Sequence, residues 1–329
     1  MTLRTVLIGA ASALALSAGA ALAQPALVFD MGGKFDKSFN EAAWNGAERW
    51  AAATGETYRE LEVQAEPQRV QFVTRLAEAG ANPIVVLGFA NESTLLEVAP
   101  NYPDTSFVII DAVVDLPNVR SVIFAEQEGS FLVGMLAAMA SETGTVSFVG
   151  GMDIPLIRAF ACGYAQGANF VNPDITVIQN YTGSTPAAWN DPVRGGEITQ
   201  AQISQGSDVV FAAAGGTGLG VLQTAADAGI FSIGVDSNQN FLHPGSVLTS
   251  MLKLVDNAVE TAFADGPDLE TGVVVMDLAS GGVGYSIDEF NRDLISAEME
   301  AAVEEAKAAI IAGTMMVHDY RSDDSCPVN

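Results

Sequence analysis

Three aspartates close short apolar runs. Asp30 follows residues 26–29 (ALVF), Asp111 follows 106–110 (SFVII) and Asp236 follows 232–235 (SIGV). An ionised carboxylate only accepts hydrogen bonds, so such groups suit a ligand that offers N–H or O–H. Aspartate also favours turns, so one strand-end aspartate alone is ordinary. Three of them, spread over both halves of the chain, point to a polar small-molecule site.

The stretch around Asp30 reads LVFDMGGKFDKSFNEAAW. Gly32 and Gly33 let the backbone turn sharply. Ser38 and Glu41 have the spacing of a capping box, with Ser38 as N-cap and Glu41 three positions on. On that reading Ser38 and Asp36 serve only to start a helix. Capping accounts for neither Asp30 nor Phe39, and an aromatic beside a strand-end carboxylate forms a pocket for a flat, hydrogen-bonding ligand. A further run, 83–87, ends in Gly88 and Phe89, and 208–212 runs into AGGTG at 214–218. That glycine loop lacks the G-x-G-x-x-G spacing of a dinucleotide site. Its glycines let backbone amides approach a ligand, Gly215 first among them, or allow tight packing.

These residues need elements to hold them. Apolar runs at 26–29, 83–87, 106–110, 119–124, 145–149, 176–179, 208–212, 232–235, 246–249 and 272–276 read as strands. Helical periodicity covers 39–53, 67–79, 92–99, 130–142, 154–169, 194–205, 218–228, 252–263 and 288–312. The alternation predicts β-α-β units, parallel sheets covered on both faces and two doubly wound α/β lobes. Ligands of such sheets bind at the carboxyl ends of the strands.

Composition limits the partners. Arg4, an apolar stretch to about Leu22 and the Ala21-Leu22-Ala23 cleavage pattern make residues 1–23 a secretory signal peptide. With no cysteine at the cleavage point, the mature chain is expected to be free in the periplasm, without membrane insertion. Of the 329 residues, 329 − 23 = 306 remain, enough for two domains. Without Arg4, 13 basic residues face 40 acidic ones, a net charge of −27 that repels nucleic acid. His243 and His318 stand apart and no C-x-x-C occurs, so no metal, cofactor or redox site is proposed. Cys162 and Cys326 could pair in an oxidising compartment, tying the tail to the body; a buried thiol and a separate tail thiol are the alternative.

Several ordered blocks together resemble the basic membrane protein family of ABC-transporter substrate-binding proteins, which includes purine nucleoside receptors. They are LVFDMGGKFDKSFNEAAWNG (27–46), FAEQEGSFLVGMLAA (124–138), VGGMDIPLIRAFACGYAQGA (149–168), AAGGTGLGVL (213–222), IGVDSNQ (233–239) and LTSMLKLVDNAV (248–259). The resemblance implies a type I periplasmic-binding fold whose two lobes close on a ligand about three crossings, near 124–127, 249–253 and 279–285. Lobe 1 would comprise 24–124 with 252–279, and lobe 2 would comprise 125–251 with 280–329. The implied ligand contacts are Asp30, Phe39, Asn40 and Asp111 from the first lobe, with Asp236 and Lys253 from the second lobe and hinge. Relatives commonly show G-S-F-x-D where this chain has Gly183-Ser184, four inserted residues and Trp189-Asn190-Asp191. Trp189 is placed at the cleft as a stacking face or lid; an indole packed on the lobe surface is the alternative.

The expected function is capture of a nucleoside, a purine by preference, for an ABC permease, by a monomer that is not an enzyme. A sugar or modified base on the same fold is the second reading and a nucleoside hydrolase the third. The cleft is expected to set Asp30, Asp111 and Asp236 against Lys253 alone, with Lys34 and Lys37 turned to solvent.

Overall fold

The computed structural model describes residues 23–328. The signal-peptide reading therefore falls, except for Ala23, outside the described residues. The chain begins as the sequence predicts. Strand β1 (Ala26–Phe29) leads to α1 (Phe39–Thr54), β2 (Arg59–Glu62), α2 (Gln68–Glu78), β3 (Ile84–Leu87), α3 (Glu92–Val98), β4 (Phe107–Ile110) and β5 (Val119–Phe124). There follow α4 (Glu126–Ala140), β6 (Thr145–Met152), α5 (Pro155–Val171), β7 (Thr176–Gly183), α6 (Pro192–Ile203), β8 (Val209–Ala213), α7 (Gly218–Ala228), β9 (Phe231–Asp236) and β10 (Val247–Lys253). The last elements are α8 (Val255–Asp265), β11 (Gly272–Met276), β12 (Val283–Tyr285) and α9 (Ala297–Ile311).

The strands form two six-stranded sheets, ordered β11-β5-β4-β3-β1-β2 and β12-β10-β9-β8-β6-β7. All pairings are parallel except β10 with β12. Residues such as Val28, Val86, Ile109, Val210 and Ile233 are fully buried, as in sheets covered by helices on both faces. In each sheet the strand order reverses once, between β1 and β3 in the first and between β6 and β8 in the second. Such reversals open a crevice at the carboxyl ends of the strands.

The chain leaves the first sheet after β5, returns between β10 and β11, and crosses again between β11 and β12. Strand β10 keeps Leu252 and Lys253 in the second sheet, where Leu252 pairs with Asp236 and Gly284. The predicted helix 252–263 therefore starts only at Val255. The helix predicted over 288–312 starts at Ala297, where the Ser296 hydroxyl accepts from the Met299 amide at 3.2 Å. Before it, Asp288 and Asn291 hold a loop by accepting from local amides. Cys162 of α5 and Cys326 of the tail form a disulfide that closes a sequence separation of 164 residues. Among the described residues no helix is long and apolar enough to cross a membrane.

Candidate ligand-binding site

A cleft lies where the carboxyl ends of the two sheets face each other, the usual place for ligands of open parallel sheets. Asp30, Phe39, Asn40, Phe89, Asp111, Trp189, Gly215, Asp236 and Lys253 all line it, with Met31, Leu156, Ile157 and Phe160 adding apolar surface. Residues after β1, β3, β6 and β8, the strands flanking both reversals, meet there.

Asp30 is held from several sides. Its Oδ1 accepts from the Met31 amide at 2.7 Å and pairs with Arg69 Nη2 of α2 at 2.6 Å. Its Oδ2 faces Gly88, where a Cβ would stand 2.1 Å away. With φ at +88° as well, position 88 admits only glycine without strain. Burial raises the Asp30 pKa, and the Arg69 charge works against that rise. Asn40 braces the same loop: its Oδ1 accepts from the Asp30 amide at 3.1 Å, and its Nδ2 donates to the carbonyls of Asp30 and Gly33, both at 3.2 Å. Both Asn40 donors are thus committed within the protein.

The start of α1 differs from the expected capping box. Ser38 makes no side-chain cap. Asp36 takes that role, accepting from the amides of Ser38 (2.8 Å), Asn40 (3.0 Å) and Glu41 (3.1 Å). Glu41 caps the Lys37 amide at 3.1 Å and pairs with the Lys37 ammonium at 2.9 Å. The Ser38 hydroxyl is freed for another partner and donates across the cleft to Asp236 Oδ2. Burial pushes the Asp36 pKa up to about 7, against the three amides that favour its anion. Lys34 does not turn to solvent either; it pairs with Glu60 at 2.7 Å beneath the rings of Phe29, Phe35 and Trp44.

Lys253 sits at the end of β10, 2% exposed. Its ammonium lies 2.7 Å from Asp111 Oδ2 and 3.3 Å from Glu126 Oε1, with the Phe39, Phe124 and Phe160 ring centroids 5.0–5.5 Å away. Burial pulls its pKa down, but Asp111, Glu126 and Asp236 together outweigh that and raise it, so it stays charged. Asp111 Oδ1 is buried with no hydrogen-bond partner among the described residues. Asp111 (φ +73°) and Asp236 (φ +63°) both adopt left-handed backbone, which aspartate tolerates better than most side chains. Backbone held in that region at a cleft aims the two carboxylates inward at some conformational cost.

Trp189 ends a short 3-10 turn, Pro186–Trp189, between β7 and α6. Its indole lies over Gly151, where a Cβ would come within 2.1 Å of the ring, and its Cβ approaches Gly32 of the opposite lobe. Thr217 anchors the turn to the glycine loop: its hydroxyl donates to the Ala188 carbonyl and accepts from the Asp191 amide, both at 2.7 Å. Trp189 thus packs on its own lobe and lines the cleft with the same ring.

Over residues 23–319 the chain matches the Bmp family, described as ABC transporter substrate-binding protein PnrA-like. It belongs to that family. It is 32% identical to the ABC transporter nucleoside-binding protein BmpA of Lactococcus lactis subsp. cremoris over 89% of this chain and 88% of that one. With basic membrane protein A of Borreliella burgdorferi it shares 30% over 92% and 89%. A solute-binding protein of an ABC transporter system from Aeropyrum pernix K1 superposes with a TM-score of 0.82 at 29% identity, over 92% of this chain and 95% of that one. The fold is the type I periplasmic-binding fold, and the protein is an ABC transporter substrate-binding protein of the Bmp family.

Three residues of this Bmp-family site escaped the sequence reading. Arg69 offsets Asp30, and Arg321 reaches Glu126 Oε2 at 2.9 Å, so the cleft carboxylates do not depend on Lys253 alone. Arg69 lies inside an amphipathic helix and Glu126 inside a block read as a hinge; neither carries a local mark of its role. Arg321 had one available signal, a basic residue in an acidic tail five positions before a cysteine.

Proposed function

We propose that this protein is an exported, monomeric receptor that captures a purine nucleoside between its lobes and delivers it to the permease of an ABC importer. The observation that carries the reading is the meeting, in one cleft, of two aromatic faces with three carboxylates. Phe39 and Trp189 offer faces to a base, worth about 0.5–1.5 kcal/mol per aromatic pair beyond area burial. Asp30 Oδ2 and Asp111 Oδ1 accept from base N–H groups, and Asp236 accepts from ribose hydroxyls. Lys253 keeps this set from being an uncompensated group of buried charges. Asn40 shapes the Asp30 loop, and Ala214 and Gly215 close the far wall.

Residues 24–124 with 254–279 act as one lobe and 125–253 with 280–328 as the other, since Leu252 and Lys253 pair within the second sheet, and the lobes turn about the three crossings. The nucleoside-binding name of the Lactococcus relative supports the ligand class. Calorimetry with inosine, guanosine and adenosine, with ribose and D-arabinose as controls, tests the reading, alongside an assay for base release from inosine. Binding without turnover is expected. Failure of all three nucleosides to bind, or their hydrolysis, would overturn it. At about 100 times its dissociation constant, a ligand of the folded state should stabilise it by about 2.7 kcal/mol.

A further inference from the structure

The C-terminal tail returns to the hinge and is fastened there. Beyond the Cys162–Cys326 disulfide, Gln166 of α5 holds the tail backbone by donating to the His318 carbonyl and accepting from the His318 amide, both at 2.9 Å. The Arg158 guanidinium lies 5.5 Å from the Tyr320 ring centroid. Asp319 fixes Arg321 from below, accepting from its Nε at 3.0 Å and pairing with its Nη2 at 2.9 Å. Arg321 then reaches the first crossing, donating from Nη2 to the Phe124 carbonyl at 3.0 Å, while its Nη1 lies 2.9 Å from Glu126 Oε2.

Glu126 is fully buried. Its two oxygens have no well-directed hydrogen bond, so what compensates its charge is the pair of cations, Arg321 on Oε2 and Lys253 on Oε1. Lys253 is in turn the cation of the cleft, 2.7 Å from Asp111. The row Arg321, Glu126, Lys253, Asp111 therefore alternates in sign from the tail to the ligand site. A fully buried carboxylate that loses one of two cations must take a proton or draw the other cation closer. Either response changes what Lys253 gives to Asp111.

We propose that Arg321 is a positioning residue of the ligand site: by satisfying Glu126 from the tail, it leaves Lys253 on Asp111 in the cleft. The inference rests on the nucleoside reading for its affinity test but not for its charge test. The groups facing Glu126 are Lys253 from β10, Arg321 from the tail and Asp111 after β4. Burial already raises the Glu126 pKa, with Lys253 and Arg321 opposing, so loss of Arg321 raises it further.

The experiment uses the mature full chain with Arg321→Gln and Arg321→Lys. Carbon-detected NMR follows the Glu126 carboxyl in ligand-free protein over pH, and calorimetry follows inosine. Arg321→Gln should raise the Glu126 midpoint and weaken inosine at least fivefold, while Arg321→Lys should restore most of both. An unmoved Glu126 midpoint in folded Arg321→Gln protein would overturn the proposal. So would a moved midpoint with unchanged inosine affinity, since the tail would then be only a structural ion pair. If inosine, guanosine and adenosine all fail to bind the wild type, the nucleoside reading falls, and the carboxyl titration alone judges Arg321, with an unmoved midpoint against it.

Discussion

The Ser38 hydroxyl, at the start of α1 in the first lobe, donates to Asp236 Oδ2, which ends β9 in the second, although 198 residues separate them. Two further bonds join the same segments: the Ser237 hydroxyl donates to the Ser38 carbonyl at 3.1 Å, and Gln239 Nε2 to the Lys37 carbonyl at 2.9 Å. A carboxylate lining the cleft thus holds the two segments together at its rim.

Ser38→Ala removes the charged member of this set without touching the helix cap, which belongs to Asp36. A hydrogen bond to a charged group is worth about 1.5–3 kcal/mol. We expect inosine to bind about tenfold more weakly or worse, and the ligand-free protein to show a larger radius of gyration by solution scattering. A variant matching wild type in both would show that Ser38 does not hold the lobes.

Gly151→Ala tests Trp189. An added Cβ would stand 2.1 Å from the indole, so the ring must move or the strand must bend. Overpacking of this kind costs about 1–3 kcal/mol. The expected result is a lower melting temperature, a shifted tryptophan emission and inosine affinity reduced by roughly tenfold. Unaltered affinity with a displaced ring would confine Trp189 to packing.

The pH dependence follows from the buried carboxylates. Asp30, Asp36, Asp236 and Glu126 are all raised by burial, so the folded chain holds their protons more tightly than the unfolded chain does. Their stabilising contribution is complete below the ordinary carboxyl range and falls as pH climbs through the folded values. For Asp36 the window runs from about pH 4, its unfolded range, to about 7. Asp36→Asn stays neutral throughout and keeps one acceptor. Compared with wild type, the variant should therefore become steadily more stable as pH rises through that window. Melting curves at matched ionic strength measure this, and a constant difference would remove Asp36 as a titrating group.

The disulfide gives a direct chemical expectation. Folded protein isolated without reductant should resist alkylation at Cys162 and Cys326 until reduced, as read by mass spectrometry. Replacing both cysteines by serine should cost about 2–5 kcal/mol of stability, as for native disulfides of exported domains. Rapid alkylation of folded, unreduced protein would contradict it.

Much of this arrangement was legible in the sequence because strands buried on both faces are continuous apolar runs. Strands β1, β5 and β11 and helix α7 have their predicted limits. Strand β2 was missed because RELE is polar; it lies at the sheet edge, where pairing with β1 rather than burial makes it a strand. Strand β12 was missed because VGY is short and set among glycines. At Leu252 and Lys253 helical periodicity misled, since pairing to β9 and β12 overrides local preference. All nine nominated residues line one cleft because strand ends converge by topology. Arg69 and Arg321 were not legible: their roles depend on distances across 39 and 195 residues, to Asp30 and Glu126, and no local pattern encodes those.

The two unforeseen arginines bear on nucleotides. A phosphate needs a basic clamp or a nest of amides. Arg69 is spent on Asp30 and Arg321 on Glu126 and Asp319, and neither lines the cleft; Lys253 does, but is committed to Asp111 and Glu126. Lining the cleft are Asp30, Asp111 and Asp236, an acidic wall expected to repel a dianion and accept an uncharged 5′-hydroxyl. Guanosine, inosine or adenosine should therefore bind at least a hundredfold more tightly than its monophosphate. Asp236→Ala should weaken the nucleoside at least tenfold, since a loss of about 1.4 kcal/mol suffices. It should also narrow the gap to the monophosphate by removing one repelling charge. Calorimetry on the four combinations measures both effects. Equal or tighter binding of the monophosphate by the wild type would overturn the nucleoside assignment and the acceptor role given to Asp236.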